Sequence, residues 1–119
     1  MEGLRIVEEA VSADSEHFRV PIRFEARGRV DLAALAEGRL EVQPAPFLEK
    51  DYDAFTGSTM RDFVLAMETR NWVLLAAFAG EARVGGLIAA RDTPGMDLLE
   101  GRRDHTAMVD VRVEPALRG

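Results

Sequence analysis

Apolar positions along the chain fall into short runs of strand length, with one clear helical stretch between them. Leu4, Ile6 and Val7 sit among charges near the start and predict a first strand. From Phe18 to Glu25, apolar and polar residues alternate for most of the length, the pattern of a half-buried strand interrupted only at Pro21-Ile22. The proline there argues for a sheet edge or a strand start. Asp31 to Leu40 predicts a short helix limited by Gly38. Leu40-Glu41-Val42 predicts a brief strand ended by Pro44 and Pro46, and Phe47 to Gly57 an irregular loop holding Lys50-Asp51-Tyr52-Asp53. Ser58 or Thr59 then offers a helix N-cap, with Asp62 three or four residues on and Phe63, Val64 and Met67 at near-helical spacing, so the prediction is a helix over Thr59–Thr69.

The second half is more regular. Trp72–Ala79 and Val84–Ala90 are continuous apolar runs separated by Gly80-Glu81-Ala82-Arg83, which predicts a β-hairpin. A polar loop from Arg91 to Asp104 leads to Thr106–Val113, where period-two geometry sets Val109, Val111 and Val113 on one face and Met108, Asp110 and Arg112 on the other. These elements predict an α+β fold: a mainly antiparallel sheet with one or two packed helices, in a single domain spanning residues 1–119. Hydrophobic residues make up 47% of the chain, enough for a core, and that content excludes a disordered polymer.

Charge narrows the function classes. Fifteen basic against 21 acidic residues leave a net charge of −6, the wrong sign for a protein that binds nucleic acid by neutralising phosphates. The absence of cysteine removes disulfides, thiolate metal sites and a cysteine nucleophile. His17 and His105 alone do not make a multi-histidine zinc site, so no metal is expected. The longest apolar run, Trp72–Ala79, is too short to span a bilayer and no secretory signal opens the chain, which makes a cytoplasmic protein the default expectation.

The string Val111-Arg112-Val113-Glu114-Pro115-Ala116-Leu117-Arg118-Gly119 resembles the entry to the acetyl-CoA motif of the GNAT superfamily of N-acetyltransferases. There a strand ending in a V-x-P-like turn runs into Q/R-x-x-G-x-G/A, whose backbone amides and following helix start hold the pyrophosphate. The hairpin, Trp72 through the turn at Gly80 to Val84-Gly85-Gly86, is similar to the family's central antiparallel strands. Lys50–Asp53 and Leu98–Asp104 also resemble stretches of a bacterial subgroup. The resemblance covers about Lys50 to Gly119 and implies the front half of an acetyltransferase, with Arg118 and Gly119 as the first two residues of the phosphate motif. Its later glycines and helix are not in the sequence.

By that resemblance acetyl-CoA is the cofactor and an amine the acceptor. Main-chain groups around Val111 and Val113 would hold the pantetheine arm, one amide would polarise the thioester carbonyl, and Arg118 and Gly119 would begin the phosphate cradle. Asp110 is the candidate base or water relay for the ammonium proton, although it lies two residues from Arg112 on one strand face and a simple ion pair is the plainer expectation. His105, at the strand start, reads as a solvated end residue. Tyr52, with Asp51 and Asp53, reads first as a packed loop residue among local turns and second as part of an acceptor pocket. Gly85-Gly86 reads as strand curvature or a bulge. Without the later glycines the chain alone is expected to bind acetyl-CoA weakly or not at all and to be inactive.

A competing reading is a non-catalytic module. The last strand would present about 30 Å of unpaired edge, which predicts a homodimer or a complex with a separately encoded second half. An in-frame continuation of the coding DNA past Gly119 would favour the enzyme, and a true stop the module. A plain β-rich domain with a coincidental likeness is the third alternative.

Overall fold

The computed structural model describes residues 3–51 and 59–118. Among these, strands β1 (Leu4–Glu9), β4 (Val73–Ala79), β5 (Ala82–Arg91) and β6 (Thr106–Val113) form an antiparallel sheet in the order β1-β4-β5-β6. Strands β2 (Phe24–Val30) and β3 (Val42–Lys50) form a separate antiparallel ribbon, joined through helix α1 (Leu32–Ala36). Helix α2 (Met60–Ala66) leads into β4. The class is therefore α+β with antiparallel sheets and two short helices among the described residues.

The β4–β5 hairpin forms because two apolar runs meet at Gly80, whose φ of 59° suits the first position of a two-residue turn. Leu74 and Ala76 of β4 and Ile88 and Ala90 of β5 point to one side, where Phe18, Val64, Trp72, Met96 and Leu99 complete the core. Trp72 donates its ring N–H to Thr93 Oγ1 at 2.8 Å, so the polar end of this buried indole is satisfied. The opposite face of the sheet carries Leu4, Ile6, Val111 and Val113, all exposed.

Helix α2 starts at a capping box. Thr59 Oγ1 accepts from the Asp62 N–H, and the Asp62 carboxylate accepts from the Thr59 N–H at 2.9 Å. It ends at Ala66, earlier than the predicted Thr69, because Met67 is already extended. Helix α1 is capped by Asp31, which accepts from the Ala33 and Ala34 N–H groups.

Three predictions need correction. Phe18–Glu25 is not one strand: Glu16–Arg19 is a single 3₁₀ turn started by Ser15, and the strand begins at Phe24. A 3₁₀ turn followed by extended chain buries His17, Phe18 and Val20, and so imitates alternation over a few residues. Pro44 and Pro46 do not end a strand; β3 runs through both and takes in Phe47–Lys50, the start of the predicted loop. A two-stranded ribbon leaves β3 an outer edge, and the pairing is irregular between Ala26 and Gly28, so missing N–H groups are tolerated there. Finally, Val109 does not share a face with Val111 and Val113. Ile88 pairs with Asp110 and Ala89 with Met108, so Val109 is the extra residue of a β-bulge. It packs against the core, while Val111 and Val113 lie 49% and 41% exposed.

Candidate functional site

Strand β6 is one edge of the four-stranded sheet, and a cleft of about 530 Å³ lies beside it. Asp110, Val111, Val113 and Arg118 line this cleft, together with Val109, Ile22, Phe24 and Met60. Four of the five residues singled out by sequence are thus brought to one place. Gly119, and the candidate acceptor residues Tyr52 and Asp53, lie outside the described residues. His105 is exposed one residue before β6.

The bulge at Val109 turns Asp110 and Arg112 to the core side of the sheet, where a hydrophobic residue would ordinarily sit. Arg112 is only 1% exposed. Its Nε donates to Asp110 Oδ2 at 2.8 Å, and Nη1 donates to the Val20 carbonyl at 2.9 Å. The guanidinium also lies 5.1 Å from the centre of the Phe18 ring. A buried charge requires this kind of enclosure, because an uncompensated one is expelled or neutralised.

His17 completes the cluster. Its ring is fully buried, and Nε2 lies 2.7 Å from Asp110 Oδ2. A carboxylate only accepts, so Nε2 carries the proton and donates it. The other ring nitrogen, Nδ1, has no hydrogen-bond partner among the described residues and faces Gly86, where an added β-carbon would stand 2.5 Å away. Gly86 is therefore explained by the close approach of an imidazole. Gly85 is explained by β6: its β-carbon would lie 2.6 Å from the Arg112 carbonyl oxygen.

Burial alone would raise the Asp110 carboxyl pKa, but hydrogen bonds from His17 and Arg112, reinforced by the Arg112 charge, outweigh it and hold the group below the ordinary carboxylate value. Asp110 is accordingly an anion at neutral pH. That is the wrong direction for a general base, which works best with a pKa near the operating pH, and this geometry favours anchoring over proton abstraction.

Arg118 is likewise committed to the chain itself. Nε donates to the Val113 carbonyl at 2.9 Å, and the two terminal nitrogens donate to the Arg23 and Pro21 carbonyls. It fastens the entry of β2 to the end of β6 and walls the cleft. Among the described residues no group of three or more His, Asp or Glu is placed to hold a metal ion, and no helix is long and apolar enough to cross a membrane.

Sequence reasoning missed His17. Its partner is 93 residues away, and no local periodicity announces such a pair. The available signal was the Asp110–Arg112 spacing on a valine-rich strand, which marks a polar pair in need of a third partner once that face is buried. Comparison of the chain with protein-family models, with curated proteins and with solved structures finds no match.

Proposed function

We propose that this chain is the front half of a GNAT-type acyl-CoA N-acyltransferase, with β6 as the strand that holds the pantetheine arm. The observation that supports this reading is the cleft along the open edge of β6, lined by Asp110, Val111, Val113 and Arg118. An edge strand offers main-chain N–H and C=O groups that match the alternating amides of pantetheine as a further strand would, although the Val113 carbonyl is already taken by Arg118. The bulge at Val109 bends β6 and re-aims its backbone groups, a device that recurs beside active sites.

In this reading a neutral acceptor amine attacks the thioester carbonyl. The C–N bond forms, the C–S bond breaks, and the thiolate leaves as the amine nitrogen loses its proton through water. A β6 amide would polarise the thioester carbonyl. Asp110, pinned by His17 and Arg112, holds the strand in shape next to that point. Arg118, the expected first residue of the phosphate motif, is bonded to carbonyls of the chain itself.

The test uses the whole chain with acetyl-CoA, followed by backbone amide NMR and by thiol release in the presence of small amines. The expected result is fast-exchange shifts confined to Val109–Val113 and the cleft, no saturation below millimolar ligand, and no turnover. Shifts centred elsewhere, saturation below millimolar ligand, or turnover would overturn the reading.

A second reading is favoured by the open sheet face. Leu4, Ile6, Val111, Val113 and Leu117 line a shallow apolar depression continuous with the edge of β6. An interaction module that receives a strand at β6 and a covering layer on this face accounts for the same surface without catalysis. Protection of β6 amides from hydrogen exchange in the absence of any ligand, rising with protein concentration, would support the module.

A further inference from the structure

We propose that the β2–β3 ribbon is a self-association arm, in which β2 pairs antiparallel with β2 of a second copy of this chain. The ribbon is a two-stranded unit joined to no other sheet among the described residues, and such a unit is marginal in water on its own. Its register gives it two unlike faces. Phe24, Ala26, Val30, Val42 and Leu48 share one, with Lys50 at its end, while Glu25, Arg27, Arg29, Gln43 and Glu49 share the other. Val30, Val42 and Leu48 are all exposed.

The two outer edges of the ribbon are not equivalent. On β3, Pro44 and Pro46 remove two N–H groups from any further ladder, which is how natural sheets close an edge. Strand β2 has no proline, and Glu25-Ala26-Arg27-Gly28-Arg29 is self-complementary under a two-fold axis. A register that keeps apolar face with apolar face must oppose residues of equal parity. The register centred on Ala26 sets Glu25 opposite Arg27 of the second copy, whereas the one centred on Arg27 sets Glu25 opposite Arg29 but also Arg27 opposite itself, so charge favours the first. Pairing of this kind converts two marginal ribbons into one four-stranded sheet and joins their apolar faces.

Exposed area agrees with an uncovered contact. The accessible surface is 8392 Å², against roughly 6,400 Å² for a compact monomer of this mass. The excess of about 2,000 Å² is shared by the open sheet face, the edge of β6 and the ribbon, and one side of a standard interface takes about 800 Å².

The test is sedimentation velocity of the full chain over a wide concentration range, with charge-swap variants and cross-linking. The parent is expected to show a concentration-dependent dimer. The pair Arg27→Glu with Arg29→Glu is expected to weaken it by about tenfold or more, and adding Glu25→Arg to restore it. Because the chain has no cysteine, Ala26→Cys and Arg27→Cys report the pairing directly. One of them should form a disulfide-linked dimer faster than Gln43→Cys on β3. A parent that stays monomeric at high micromolar concentration, a charge swap that leaves the dimer unchanged, or preferential cross-linking through Gln43→Cys would each overturn the proposal. Native near-ultraviolet signal from Trp72, in the body of the protein, checks that the variants are folded.

Discussion

A β-carbon on residue 86 would stand 2.5 Å from His17 Nδ1 and 3.2 Å from the Leu75 carbonyl oxygen, so Gly86→Ala must displace a buried imidazole that Asp110 holds by its far nitrogen. The expected cost is about 1–3 kcal/mol, the range for overpacking a filled site, read from the urea midpoint at unchanged slope. Parent-like stability would mean that His17 is free to move. Arg112→Met leaves the Asp110 carboxylate buried with His17 alone and is expected to cost about 3–5 kcal/mol, as removal of one member of a buried ion pair does. Asp110 also sets a pH dependence. Its folded pKa is depressed, so its contribution is complete above the unfolded value of about 3.9 and is lost as pH falls through the lower folded value. Asp110→Asn should therefore lower stability at neutral pH and flatten the decline below about pH 4, measured by urea titrations across that window. An unchanged acid limb would contradict the assignment of this group.

At the scale of elements, the capping box at Thr59 and Asp62 is the simplest local determinant. Asp62→Ala removes both the Thr59 N–H acceptor and an acidic group from the first turn of α2, with an expected loss of about 1 kcal/mol. Thermal unfolding checks it, and an unchanged midpoint would mean that tertiary packing alone holds α2. That cap, the β4–β5 hairpin and β6 were legible in the sequence because each is written in neighbouring residues: a Thr–Asp spacing, two apolar runs about a glycine, and alternating valines. The misread segments depend on remote context. Whether Pro44 ends a strand is decided by which edge β3 presents, and whether Val109 faces the core is decided by a bulge against β5. The cleft was half legible. Asp110, Val111, Val113 and Arg118 were marked by the tail motif, whereas His17, Ile22, Phe24 and Met60 arrive from elements that only folding brings to β6.

The whole molecule is extended for its length. Its Cα radius of gyration is 17.0 Å, compared with about 13.5 Å from the scaling of compact domains. Core residues gather on one side of the four-stranded sheet, and the other side, the edge of β6 and the β2–β3 ribbon remain open among the described residues. Such a shape fits a chain that presents surfaces for other molecules to complete, the edge of β6 being the proposed seat of the acyl-pantetheine arm. The two ends of acetyl-CoA separate this claim from a general affinity for nucleotides or apolar compounds. Amide spectra of the full chain should shift at Val109–Val113 with S-acetyl-pantetheine and stay unchanged with adenosine 3′,5′-bisphosphate. Shifts produced by the nucleotide half alone, with β6 silent toward the thioester, would contradict the account.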